Sequence, residues 1–146
     1  MYQLDYRMIT IRKNDITVRE YLAIRAEVEW RELLEIQARQ ALQNSLFVAG
    51  AYEGERLVGM GRIVGDGAVI CYIQDLIVIP EYQHKGVGSL VINALIDYVE
   101  SLQETGSQMM LCLMCAKGRE AFYERHGFIA RPTSNLGPGM IQYLER

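Results

Sequence analysis

The apolar positions of this chain switch repeatedly between a period of two and a period near 3.6, and each switch predicts an element. Tyr6, Met8, Ile9 and Ile11 read as a first strand. Thr17, with Glu20 three positions on, fits a capping box and predicts a helix through about Val28. A second helix is expected from about Arg31 to Gln43, with Leu34, Ala38, Ala41 and Leu42 sharing a face. Trp30, the only tryptophan, falls between the two and reads as a packing anchor, with a ligand contact as the alternative. From Leu46 the period becomes that of strands. Leu46–Tyr52 and Arg56–Val64 flank Glu53-Gly54-Glu55, and Asp66-Gly67 leads into Val69–Ile79, which together predict a three-strand meander. Gly59 and Gly61, inside the middle strand, mark a bulge or the close approach of another backbone.

The strongest pattern lies in Asp75–Leu102. Leu76, Ile77, Val78 and Ile79 form an apolar run that Pro80 closes, since proline cannot donate to a ladder. Gln83-His84-Lys85-Gly86-Val87-Gly88 follows as a short glycine turn. Val87, Leu90, Val91, Ala94, Leu95, Tyr98, Val99 and Leu102 then trace one face of a long helix. That helix should end near Gly106, with Met109–Cys115 a buried strand after it. A short helix over about Arg119–His126 is expected next, with Gly127 as its C-terminal cap. Phe128-Ile129 begin a further strand, Pro132–Gly139 reads as a loop, and Met140–Leu144 as a final strand. No repeat or linker divides the chain, so residues 1–146 are expected to form one mixed α/β domain with a right-handed crossover helix.

Composition narrows the class. Half of the residues are hydrophobic and 23% are charged, as in ordinary globular chains. A formal charge of −3 argues against a nucleic-acid partner, which needs a basic face. No window approaches the roughly 18 apolar residues that span a bilayer. Asp5 and Arg7 interrupt any signal-peptide core, and three cysteines make no disulfide framework. A soluble cytoplasmic protein is the expectation. Cys112-Leu113-Met114-Cys115 lacks the second pair that four zinc ligands require, so buried inert thiols and no metal are expected.

A strand that feeds a glycine turn and then a helix has a chemical consequence. The first amides of the helix have no intrahelical partner, the macrodipole is positive there, and glycine lets an anion come close. The arrangement suits a phosphate or pyrophosphate, unless the glycines serve only the turn. The string Gln83-x-x-Gly86-x-Gly88 after a strand and proline resembles the acyl-coenzyme A signature of the GNAT superfamily of N-acetyltransferases. Ala121-Phe122-Tyr123-Glu124-Arg125-His126-Gly127-Phe128 is similar to a second segment of that family, near the domain's end.

The resemblance implies an α+β fold: a central, mostly antiparallel mixed sheet flanked by about four helices. It implies acetyl-coenzyme A as cosubstrate and no metal. The cofactor strand of that family carries a bulge, which assigns the main chain of Ile77, Val78 and Ile79 to the acetyl and pantetheine groups. Gln83, His84, Lys85, Gly86, Val87, Gly88 and Ser89 would hold the phosphates. Tyr123 would lie by the cofactor sulfur as the general acid, a phenol near pKa 10 protonating a thiolate near 8.5. Its alternative is aromatic packing. Asp75, the carboxylate on the cofactor strand, is either a base acting through water or a structural acceptor. His84 suits phosphate contact better than base catalysis, and His126 reads as a cap. Lys117 and Arg119 read as solvated surface. Many members carry asparagine seven residues before the tyrosine; Ala116 stands there, so that pantetheine contact is missing or made by another group.

The acceptor site in that family is framed by the first two helices, the Met60 strand and the Thr133–Gly139 loop. Trp30 and Glu29 are the candidate substrate contacts, with Glu27 and Glu32 adding charge that could attract a cationic amine. The expected activity is acetyl transfer to a primary amine of a small molecule or peptide. A non-catalytic acyl-coenzyme A sensor is the alternative, and an unrelated phosphate-binding domain a weaker one. Neither nucleic acid nor membrane is an expected partner. A homodimer is common in the family, though no residue establishes it here.

Overall fold

The structure is a computed structural model and describes residues 8–146. Its elements run β1 (Ile9–Lys13), α1 (Val18–Glu27), α2 (Glu35–Gln43), β2 (Phe47–Glu53), β3 (Arg56–Gly65), β4 (Ile70–Val78), a 3₁₀ turn (Pro80–Tyr82), α3 (Val87–Ser101), β5 (Met110–Leu113) and α4 (Glu120–Glu124). The five strands lie in chain order, with β1/β2, β2/β3 and β3/β4 antiparallel. This is the expected α+β architecture. Tyr6, expected in the first strand, lies outside the described residues. Among the described residues no helix is long and apolar enough to cross a membrane.

Two compact units are present, one reaching Leu111 and one spanning Cys112–Arg146. In the first, α3 lays its apolar stripe on β2, β3 and β4. Val87, Val91, Leu95 and Val99 on that stripe are buried. Each such burial contributes about 1.5–3 kcal/mol. The two glycines do mark a close approach, but it is side chains of α3 and not another backbone that come nearest, and Gly61 lies at the break in the β3/β4 register. A Cβ on Gly59 would lie 3.0 Å from Val87 Cγ1, and one on Gly61 2.7 Å from Leu95 Cδ1. Glycine there lets the helix sit against the sheet.

The Thr17 capping box forms as expected. The Glu20 amide donates to Thr17 Oγ1 at 3.1 Å, and the Thr17 amide to Glu20 Oε1 at 3.0 Å. The second helix starts later than expected, at Glu35 instead of Arg31. Glu29, at φ 58°, turns the chain out of α1, and the Trp30 amide donates to the Arg25 carbonyl at 3.1 Å. Leu34 is extended and 71% exposed, so of the expected shared face only Ala38 is fully buried. Trp30 is no anchor between helices either: it is exposed, and Arg25 Cζ lies 5.4 Å from its ring centroid.

In the second unit α4 ends as expected on Gly127, at φ 90°. The amides of Gly127 and Phe128 donate to the carbonyls of Glu124 and Tyr123. The strands expected at Phe128-Ile129 and Met140–Leu144 are absent. A strand needs a neighbour for its amides and carbonyls, and Ile129, Met140, Ile141, Tyr143 and Leu144 are exposed without a ladder. The thiols of Cys112 and Cys115 differ from the expected burial, Cys112 being half-buried and Cys115 exposed, whereas Cys71 is buried.

Gly61→Ala should cost about 1–3 kcal/mol, because the added methyl meets buried Leu95 together with Leu76 and Val91 at 3.2 Å. Urea unfolding against the wild type measures it; an unchanged midpoint would mean that α3 does not press on the sheet there.

Candidate functional site

The register of β3 on β4 breaks at one place. Met60 pairs with Ile77 and Arg62 with Gln74, so Asp75 and Leu76 together face the single residue Gly61. This is a bulge in β4. Asp75 takes it up in the left-handed region, at φ 57°, a conformation that costs a non-glycine residue about 1–3 kcal/mol.

Beyond the bulge, antiparallel alternation decides which amides face β3. The Ile79 amide donates to the Val58 carbonyl at 3.0 Å, and its carbonyl accepts from the Tyr82 amide at 2.9 Å. The Ile77 carbonyl lies 3.3 Å from where a Gly59 Cβ would stand, so Ile77 also faces β3. Val78, between them, turns to the opposite edge. Its carbonyl accepts from Gln83 Nε2 at 2.9 Å. Main-chain atoms of Ile77, Val78 and Ile79 were all expected to serve a ligand; the ladder leaves the Val78 amide as the one turned away from β3. Gln83 is drawn into holding the strand end.

The glycine turn follows. His84 is exposed at φ 60°, and Gly86, at φ 84°, is the N-cap of α3. No side chain caps the helix, and its first turn holds no acidic residue. Val87 is buried core, whereas Gly88 and Ser89 are half-buried at the helix mouth. Their amides and the macrodipole present positive charge there. The turn is tied to the β2–β3 hairpin: Tyr82 Oη donates to Glu53 Oε1 at 3.1 Å, and Arg56 pairs with Glu81 at 3.0 Å. Lys85 Nζ lies 5.8 Å from the Tyr82 ring centroid.

Asp75 has a fully buried side chain at the centre of a polar cluster. Arg25 Nη1 donates to Oδ1 at 2.9 Å and Gln74 Nε2 to the same oxygen at 3.4 Å. Arg62 Nε donates to Oδ2 at 2.7 Å, and Tyr21 Oη donates to it as well. An ionised carboxylate offers about four lone-pair sites, and here four donors fill them. Burial, and then the hydrogen bond to Asp75, push the Tyr21 phenol above its ordinary value. Burial pulls the Arg62 guanidinium down, but its hydrogen bond to Asp75 and the charge there outweigh that and hold it up. Tyr21, Arg25 and Arg62 were not singled out from the sequence. A signal existed: Arg62 shares the Met60 face of β3, and a cation on a core face requires a buried partner.

The remaining candidates sit elsewhere. Tyr123 is half-buried in α4, its ring edge-on to Phe122 at 5.1 Å and to Phe128 at 5.9 Å. His126 Nδ1 lies 2.8 Å from the Phe122 carbonyl, the capping position expected of it. Glu29, Lys117 and Arg119 are exposed. Among the described residues no group of three or more His, Cys, Asp or Glu could hold a metal ion.

Comparison with known proteins identifies the family. The sequence matches the acetyltransferase (GNAT) family over residues 14–128. It is 31% identical over 104 residues to an uncharacterized N-acetyltransferase ycf52-like protein of Prochlorococcus marinus, covering 68% of this chain and 55% of that protein. It is 35% identical over 136 residues to the histone acetyltransferase TAP1 of Glycine max, covering 84% and 56%. The chain thus spans about half the length of these relatives. A GNAT family acetyltransferase from Streptococcus pneumoniae superposes with a TM-score of 0.79 at 30% identity, over 95% of this chain and 100% of that one. A protein of unknown function from meticillin-resistant Staphylococcus aureus gives 0.81 at 28% identity, over 93% and 100%.

Asp75→Ala should destabilise the fold by about 3–5 kcal/mol in urea, because it strands two largely buried guanidiniums; a change below about 1 kcal/mol would show the cluster to be solvated. Alkali gives a second check. The raised Tyr21 value means that its contribution is full below about pH 10 and is lost as pH climbs through the folded value. Between about pH 10 and 12 the wild type should lose stability more steeply than Tyr21→Phe; parallel curves would contradict the burial of a neutral phenol.

Proposed function

The chain belongs to the GNAT superfamily of N-acetyltransferases, and from that premise we propose that it moves the acetyl group of acetyl-coenzyme A to a primary amine of a small molecule or peptide. The family match runs from residue 14 to residue 128, past Leu111, which supports reading both units as one catalytic domain. The observation that carries the proposal is the pairing of an outward Val78 amide with an uncapped, glycine-opened helix mouth a few residues on. The residues fit the cosubstrate: Gly86, Gly88 and Ser89 offer amides to a diphosphate, and Val78 offers one to a thioester carbonyl.

The chemistry assigned to the chain is then short. A neutral amine attacks the thioester carbon; the C–N bond forms and the C–S bond breaks. The Val78 amide donates to the developing oxyanion. Tyr123, assigned by the likeness of its segment to the family's, gives its proton to the departing thiolate. Asp75 is not the base in this scheme, since its lone pairs already accept from Tyr21, Arg25, Arg62 and Gln74. The substrate ammonium loses one proton to solvent before attack, the nitrogen sheds a second to solvent once the C–N bond has formed, and solvent returns a proton to Tyr123. Asp75 instead shapes the bulge that turns Val78 outward. Glu29 and Trp30 frame the acceptor side.

Incubation with acetyl-coenzyme A and a panel of primary amines should release free thiol. Tyr123→Phe should slow turnover about 10²–10⁴-fold with coenzyme A affinity unchanged. Gly86→Asp, which sets a fixed anion at the helix mouth, should weaken coenzyme A binding in calorimetry. If saturating coenzyme A leaves the melting temperature unmoved, the proposal fails; binding without turnover on any amine would favour a sensor.

A further inference from the structure

Asp75 carries one negative charge, and Arg62 alone would balance it. A second guanidinium in the same cluster, with only 12% of its side chain exposed, is more cation than the carboxylate needs. Arg25 therefore has another use. Its Nη1 donates to Asp75 Oδ1 at 2.9 Å, while Nη2 donates to the Arg31 carbonyl, also at 2.9 Å. The same guanidinium lies 5.4 Å from the Trp30 ring centroid. One planar fork thus spans from the bulge of β4 to the connection between α1 and α2. Lysine, a single point donor on a flexible stem, does not hold two acceptors at a fixed spacing in this way.

The geometry points to Arg25 as a positioning residue that fixes the Glu29–Leu34 connection to the bulged strand. Resting on the acetyl-transfer reading, in which Glu29 and Trp30 border the acceptor, Arg25 sets where the amine stands relative to the thioester without touching either. Its loss is felt by the amine and not by coenzyme A, whose phosphates are met at the mouth of α3.

Trp30, the only tryptophan, reports on this tie directly. In ligand-free protein, Arg25→Lys and Asp75→Asn should both raise the acrylamide quenching constant of Trp30 and speed hydrogen exchange over Arg31–Leu34. In turnover, Arg25→Lys should raise the amine KM about tenfold, as expected for one lost charge-assisted hydrogen bond, with the coenzyme A Kd unchanged. Wild-type quenching in both folded variants overturns the inference, and so does a parallel loss of coenzyme A affinity. Should the variants not fold, exchange in the wild type decides: Arg31–Leu34 amides as fast as those of Gln142–Arg146 would overturn it. The quenching arm needs no cofactor. A tie seen there beside a melting temperature indifferent to coenzyme A would therefore sink the acetyl-transfer reading alone.

Discussion

A carboxylate buried in a left-handed bulge is the constraint on which the first unit turns. Asp75 occupies a backbone conformation that non-glycine residues avoid, and nothing local to β4 favours it. What holds it is a set of donors from three other places: Tyr21 and Arg25 on α1, Arg62 on β3, and Gln74 beside it. The bulge in turn decides register. One extra residue in β4 shifts the alternation downstream, so Ile77 and Ile79 face β3 and Val78 faces away. A polar cluster on one face of the sheet thereby selects which amide of the strand turns away from β3.

The glycines complement that selection from the opposite face. Gly59 and Gly61 leave room for Val87 and Leu95, which draws α3 tight against the strands. Gly86, in the left-handed region, starts the helix without a side chain at its mouth. Helix and strand are therefore set at a fixed offset by packing and by two short ties, Tyr82 to Glu53 and Arg56 to Glu81. Buried guanidiniums, a strained bulge and an uncapped helix all reduce stability. The strained bulge and the uncapped helix lie on one stretch of chain, Asp75 to Val87.

Much of this was legible from patterning. Periodicity located the meander and the long helix, because side-chain burial repeats with the backbone's own geometry. The Thr17–Glu20 box and the Gly127 cap are local hydrogen-bond chemistry, and both form as read. The family signature likewise sits within six consecutive residues. Where the reading failed, hydrogen bonding outside the periodic pattern decided the outcome. Arg31–Leu34 has helical composition, but a guanidinium from α1 donates to the Arg31 carbonyl and the segment takes a different geometry. Met140–Leu144 has the alternation of a strand, yet no ladder neighbour pairs with it.

Local sequence thus determined the element order as far as α4, the caps, the glycine turn and the identity of the family, since each depends on residues a few positions apart. Tertiary structure decided the rest. It alone brought Tyr21, Arg25 and Arg62 onto Asp75, and so changed that residue from an available base into a saturated hub. It alone turned the Val78 amide outward and those of Ile77 and Ile79 inward. Hydrogen-bond saturation and ladder register are properties of pairs far apart in the chain, and no window of the sequence contains both members.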